Sequence, residues 1–228
     1  MRISADKPTD TENRVLNGDS VAFGVVILAA GASTRMGRCK LLLRWGDKTI
    51  LTHLLGQWRS AGAAQIAPVI DPSNQLVRKA LEDAGFSSSD WIENSSPQMG
   101  MFSSLQEASR WTGWRSTLTH WIISLGDQPH IQISTLCLLL DATRKNPTRI
   151  CQPALHGHAA HPIVLPARNF RELAQSEMAD LRTYVRTCES LRVRFAVEDA
   201  GVSEDLNTPE DYARWKPKEC ADIQVGFN

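Results

Sequence analysis

The chain has 228 residues, and its 25 Lys plus Arg are balanced by 25 Asp plus Glu. That length suits one α/β domain with a sizeable core, and the balance provides no global field for nucleic acid or an anionic membrane. Five scattered cysteines, Cys39, Cys137, Cys151, Cys188 and Cys220, lack Cys-x-x-Cys spacing, which argues for reduced thiols in a cytoplasmic protein and against a disulfide framework or a structural zinc site.

Residues 1–20 are polar, lack the apolar core of a signal peptide and read as a disordered leader; no apolar run is long enough to span a bilayer. Residues 21–228 read as a single domain. Val25-Val-Ile-Leu28 is apolar without alternation, as a strand buried on both sheet faces should be. A small-residue loop, 29–37, follows with glycines at Gly31 and Gly37, and Arg35, Arg38 and Lys40 add positive charge in or after it. Strand, glycine-bearing loop and cations together make a phosphate-binding corner. It is not a P-loop, because Gly37 is followed by Arg38 and Cys39 and the glycines are too far apart. It is not a dinucleotide fingerprint either, since Gly31-Ala32-Ser33 lacks the second glycine.

Further on, Thr49 is an N-cap for a helix to Ser60, with Ile50, Leu51, Leu54, Leu55 and Trp58 at helical spacing. Trp45 and Trp58 read as core. Ala67–Ile70 reads as a strand, Ser73–Ala84 as a helix closed by Gly85, and Trp91-Ile92 as a short strand. Met101–Trp111 is a helix, Trp121–Leu125 a buried strand, and Ile133–Lys145 another helix. This βα alternation predicts a single-domain three-layer α/β/α fold, with a doubly wound, mostly parallel (mixed) sheet. In the second half, Ile150–Leu155 and Pro162–Leu165 suggest an antiparallel hairpin around His156-Gly157-His158. Helices are expected at 169–174 and 179–189. Arg192–Glu198 alternates like a strand with one solvated face, and Thr208-Pro209-Glu210-Asp211 opens a last helix.

Ligands of such a sheet bind beyond the carboxyl ends of its strands. Three stretches qualify. The first is the 29–40 loop. The second is Asn94–Leu105, where Gly100, Ser103 and Ser104 open a helix whose amides and hydroxyls suit a phosphate or a nucleobase edge. The third is Leu125-Gly126-Asp127-Gln128-Pro129, where Asp127 can hold a hard cation shared with substrate phosphates. His156, His158 and His161 are close enough to suggest a transition-metal site, but no cysteine or carboxylate has ligand-like spacing. They read better as hairpin or substrate-pocket residues.

Leu28-Ala-Ala-Gly-Ala-Ser-Thr-Arg-Met-Gly37 with Lys40 resembles the opening signature of the nucleotidyltransferases. Within them it is most similar to the MobA/MocA-like group that includes the molybdenum cofactor (molybdopterin) cytidylyltransferases. Gly100-Met101-x-Ser103-Ser104-Leu105, Asp127-x-Pro129 and Asp205-Leu-Asn207-Thr-Pro-Glu-Asp211 resemble further segments of that family. The resemblance implies a Rossmann-like nucleotidyltransferase fold of the glycosyltransferase-A-like kind. It also implies a nucleotide site at Leu28, Ala29, Ala30, Gly31, Ser33, Arg35, Met36, Gly37, Lys40, Gly100, Ser103 and Ser104. Arg35, Lys40 and Asp127 take the catalytic positions. Mg²⁺ is expected on Asp127 with Asp205, Asn207 being the alternative second ligand.

His161-Pro162 aligns with the family's acceptor side, where Ala160 replaces a glycine. A larger departure follows: the usual Gly-Asp-x-Gly-Ala segment is absent, and the chain reads Gln175-Ser-Glu-Met-Ala-Asp180-Leu-Arg182. The implied reaction transfers a nucleotidyl group from an NTP to a phosphorylated pterin-type acceptor. Ala30, and the lack of an acid before Lys40, favour CTP over GTP. Other acceptors, such as sugar or alditol phosphates, remain open. The implied recipient is a molybdoenzyme or its chaperone, with no nucleic-acid or membrane partner. Two competing readings are a non-catalytic cofactor-delivery protein and a redox enzyme, the latter weakened by the missing dinucleotide fingerprint.

Overall fold

A computed structural model of the chain describes residues 21–31 and 36–217. The expected leader, together with Ser33, Arg35 and Cys220, lies outside the described residues. In chain order the strands are β1 Phe23–Leu28, β2 Arg44–Trp45, β3 Lys48–Thr49, β4 Gln65–Ile70, β5 Ile92–Glu93, β6 His120–Leu125, β7 Ile150–Leu155, β8 His158–Ala159, β9 Ile163–Pro166 and β10 Arg192–Ala196. The helices are α1 Ile50–Ser60, α2 Gln75–Asp83, α3 Met101–Arg110, α4 Ile133–Lys145, α5 Ala167–Glu172, α6 Leu181–Thr187 and α7 Pro209–Trp215.

Strand β1 runs parallel to β4 on one side and β6 on the other, and packed helices cover both of its faces. That position explains its unbroken apolar run. Val25 and Ile27 point into one apolar layer, with Leu51, Leu54 and Trp58 of α1 and Leu136 and Leu139 of α4. Val26 points into the opposite layer, with Phe102 and Leu105 of α3 and Phe170 of α5. Each such side chain, fully withdrawn from water, contributes about 1.5–3 kcal/mol. The result is the expected three-layer α/β/α arrangement. Trp45 and Trp58 are both buried, and the Trp58 indole N–H donates to Ser124 Oγ at 2.9 Å.

The sheet order is β10-β7-β9-β6-β1-β4-β5, with β8 added to β7. It is mixed because β9 inserts antiparallel between β6 and β7, while β10 pairs parallel with β7. The expected hairpin is therefore redrawn. Strand β7 turns at His156 and Gly157, both at positive φ, directly into β8. The second expected strand, β9, follows a cis His161–Pro162 bond and pairs mainly with β6. The turn after Trp45 also builds a small separate ribbon, β2–β3, too short to leave a periodic signal.

Helix starts follow local side-chain chemistry. Thr49 and Thr52 exchange hydrogen bonds in a capping box that opens α1, and Thr208 with Asp211 does the same for α7. Helix α2 begins at Gln75 rather than Ser73, because Asn74 Oδ1 accepts from the Val77 amide at 3.2 Å and sets the cap there. Cys39, Cys137, Cys151 and Cys188 are free thiols. Among the described residues, no helix is long and apolar enough to cross a membrane.

Candidate active site

Strands β1, β4, β5 and β6 point the same way, so the loops that leave β1, β5 and β6 open at one sheet edge. Gly126 joins two of these loops, its amide donating to Leu28 O at 3.1 Å. A Cβ at this position would stand 2.5 Å from that same oxygen, so only glycine permits the approach. Sequence reading overlooked Gly126, because nothing local marks it. The segment after β10 returns to the same edge, where the Leu206 amide donates to Asp127 O at 3.0 Å. Asp199 anchors that return: its buried carboxylate accepts from Gln132 N, Thr135 Oγ1 and Gly201 N at 2.8–3.0 Å.

These loops enclose a cavity of about 420 Å³, whose lining includes Ala30, Gly31, Lys40, Ser104, Asp127 and Asp205. Lys40 Nζ lies 2.6 Å from Asp127 Oδ2 and 3.4 Å from Leu206 O. Asp205 Oδ1 accepts from Gln128 Nε2 at 3.0 Å, so the buried Gln128 orients it. Burial first, and then the nearby Asp127 charge, raise the Asp205 pKa above its ordinary value. Both carboxylates line the same cavity. Two carboxylates lining one cavity, one of them paired with Lys40, are a donor set suited to a hard divalent cation completed by substrate oxygens. Asp205 lines the cavity and Asn207 is not among its lining residues. Asn207 instead donates its amide to Asp205 O and to Asp211 Oδ2.

Around the small-residue loop, the Ala29 amide is held by Val69 O at 2.9 Å. Among the described residues, the next amides, of Ala30 and Gly31, donate to no backbone carbonyl. Leu28 and Ala29 also line the cavity, forming its floor. Met36 is buried in the apolar layer that also holds Val25 and Ile27, and it is not among the lining residues. Gly37, at positive φ, lets the chain reverse toward Lys40 and is not among the lining residues.

The loop before α3 is built around Asn94, which is buried and which the sequence did not single out. Its amide nitrogen donates to Ser103 Oγ at 2.8 Å and Ser104 Oγ at 2.9 Å, while its oxygen accepts from Ser96 N at 2.9 Å. Gly100, at φ 91°, allows the sharp entry into α3 and lines the cavity. Of the two serines only Ser104 lines it. The Ser103 hydroxyl turns back to Gly100 O and Ser96 O.

His161 lines this cavity and the neighbouring one. Its Nδ1 is buried and meets no hydrogen-bond partner among the described residues. Burial lowers the imidazole pKa, which leaves a neutral ring facing the cavity. His156 sits at the β7–β8 turn and His158 faces the second cavity. Among the described residues, no cluster of three or more His, Cys, Asp or Glu can hold a metal.

Rv0371c from Mycobacterium tuberculosis is 27% identical, with a TM-score of 0.67, covering 85% of this chain and 97% of its own. A structure described as Rv0371C in complex with manganese, from the same organism, is 25% identical with a TM-score of 0.63, covering 86% of this chain and 98% of its own. The bifunctional protein GlmU of Buchnera aphidicola is 28% identical over 126 residues, 54% of this chain. That match spans only 26% of GlmU's own length. Residues 25–193 match the family described as the MobA-like NTP transferase domain. The match takes in the cavity floor, Lys40, the α3 entry, Asp127 and His161, and on it the chain belongs to the MobA-like NTP transferase family.

Proposed function

We propose that the protein transfers a nucleotidyl group from an NTP, with CTP favoured, to a phosphorylated acceptor and releases pyrophosphate. One observation carries this reading: a single cavity gathers the small-residue loop, Lys40, Asp127 and Asp205 from positions far apart in sequence. Family membership supports it, as do the resemblances at Ala30 and Lys40 to the cytidylyltransferase version of the loop.

Such a transfer needs in-line positioning and charge neutralisation more than covalent help. The Ala30 and Gly31 amides, with Lys40, would receive the triphosphate and stabilise the departing pyrophosphate. Ser33, Arg35 and Gly37 would complete that cradle. Ser104, together with Gly100 at the α3 entry, would position the nucleoside, and Asn94 would hold that entry rigid. Asp127 and Asp205 would hold a divalent cation, Mg²⁺ in our reading, which supplies charge neutralisation between the NTP α-phosphate and the acceptor phosphate. The manganese complex of Rv0371C is consistent with a cation at such a site. An acceptor phosphate is already ionised near neutrality, so no general base is required. Neutral His161 would offer a hydrogen bond on the acceptor side. A molybdopterin-type acceptor, and a molybdoenzyme or its chaperone as recipient, follow from the family resemblance.

Thermal stabilisation by CTP, GTP, ATP, UTP and NADH, each with and without Mg²⁺, tests this. A Mg²⁺-dependent rise with CTP is expected, followed by pyrophosphate release once an acceptor is supplied. A rise with NADH alone would favour the redox reading. Binding of CTP without pyrophosphate release on molybdopterin or any other phosphorylated acceptor would favour a delivery protein.

A further inference from the structure

Beside the cavity described above lies a second, of about 510 Å³, and Met101 and His161 line both. Four arginines line this second space. Arg182 and Arg186 are one helical turn apart on α6, and Arg192 and Arg194 alternate on the edge strand β10. Spacings of four on a helix and two on a strand put each pair on one face. Four guanidinium groups meet two carboxylates here. Glu189 takes both strand arginines, at 2.8 Å from Arg192 and 2.6 Å from Arg194. Asp180 accepts from the Thr183 amide at 2.6 Å as the cap of α6. Arg182 and Arg186 are exposed, and among the described residues neither has a carboxylate within ion-pair distance. Like charges one turn apart destabilise a short helix, and a single carboxylate, Asp180, faces the two of them.

We infer that the second cavity binds a second oxyanion, a phosphate or carboxylate, at the end of the acceptor remote from its reacting phosphate. This rests on the nucleotidyl-transfer reading and adds to it a charge requirement on the substrate. The reacting phosphate lies beside Asp127 and His161, and the body of the acceptor passes Met101. The far oxyanion meets the guanidinium forks of Arg182 and Arg186, whose paired N–H groups match two oxygens of a phosphate or carboxylate. Arg192, held by Gln152 Oε1 at 2.7 Å, walls the other side.

The test uses the full-length protein with saturating CTP and Mg²⁺. The probes are glycerol 3-phosphate, with one oxyanion, and 3-phosphoglycerate and fructose 1,6-bisphosphate, each with two. Wild-type protein is expected to bind the two-oxyanion probes about tenfold more tightly than glycerol 3-phosphate. Whether the carboxylate or the bisphosphate probe gains more identifies the oxyanion. In Arg182→Gln/Arg186→Gln the advantage should vanish while the CTP shift is kept and the melting temperature does not fall. Arg182→Lys/Arg186→Lys should restore part of it. Equal binding of one- and two-oxyanion probes by wild type, or an advantage that survives in the glutamine variant, would overturn the inference with nucleotide binding intact. Absence of any nucleotide shift in wild type would overturn the transfer reading itself, and this inference with it.

Discussion

Lys40 and Asp127, 87 positions apart, meet through Nζ and Oδ2 at 2.6 Å inside the candidate active site. The contact fixes a cation from the nucleotide loop against the carboxylate that follows β6. Lys40→Met and Asp127→Asn are each expected to lower turnover by about 10²–10³-fold, as removal of a preorganised charge does in other transfer enzymes. Breaking a half-buried pair also costs about 1–3 kcal/mol of stability. Steady-state rates alongside denaturant unfolding separate the two effects. Wild-type turnover in either variant would remove the proposed roles.

Gly126 sets the distance between the ends of β1 and β6. In Gly126→Ala the new methyl would lie 2.5 Å from Leu28 O and 3.0 Å from Leu41 Cδ2. A backbone oxygen cannot step aside as a flexible side chain can, so we expect about 1–3 kcal/mol of destabilisation. Stabilisation by CTP should fall as well, because the floor of the nucleotide loop is displaced. The unfolding midpoint and the CTP-induced shift, measured on one preparation, check both.

Asn94 ties Ser96, Ser103 and Ser104 together from a buried position. Asn94→Ala leaves those groups without their partner, at a cost of about 1–3 kcal/mol. If the loop before α3 positions the nucleoside, KM for the NTP should rise more than kcat falls. A stability loss with unchanged KM would make Asn94 a purely structural residue.

Burial lowers the pKa of His53, His120, His130 and His161 below the ordinary 6.5. The native state then binds fewer protons than the unfolded chain just below that value. Stability is therefore fully present above about pH 6.5 and is lost as pH falls toward the depressed native values. Each histidine still neutral in the native state adds a slope of at most about 1.4 kcal/mol per pH unit. Asp205, raised by burial and by Asp127, acts in the opposite sense from its ordinary 3.8 upward, as a single group against four histidines. Denaturant midpoints at about pH 7.5 and about pH 5.5 should therefore differ, the acid one being lower. His120→Gln should flatten the slope, since the His120 ring lies buried between Thr119 Oγ1 and Pro147 O. Equal midpoints at the two pH values would refute the account.

Much of this architecture is legible in the chain. Val25–Leu28 announces a central strand by its unbroken apolar run, and Thr49 and Thr208 announce helix starts by their caps, because those signals act over a few residues. The nucleotide loop, the α3 entry and Asp127 are likewise contiguous motifs, so their resemblance to a family can be read in order along the sequence. Asp205 could be named and paired with Asp127, but its hydrogen-bond partner Gln128 could not: the two meet only because Leu206 docks on the Asp127 carbonyl.

What only the tertiary structure decided depends on distance through space. It placed β9 antiparallel between β6 and β7, buried Met36 in an apolar layer, turned the Ser103 hydroxyl to Gly100 O, and brought Gly126 against an oxygen almost a hundred positions earlier in the chain. It also gathered Arg182, Arg186, Arg192 and Arg194 around one space. In the sequence these are ordinary basic residues of a helix and an edge strand. Four like charges lining one space are a property of the folded chain, and no local pattern encodes that convergence.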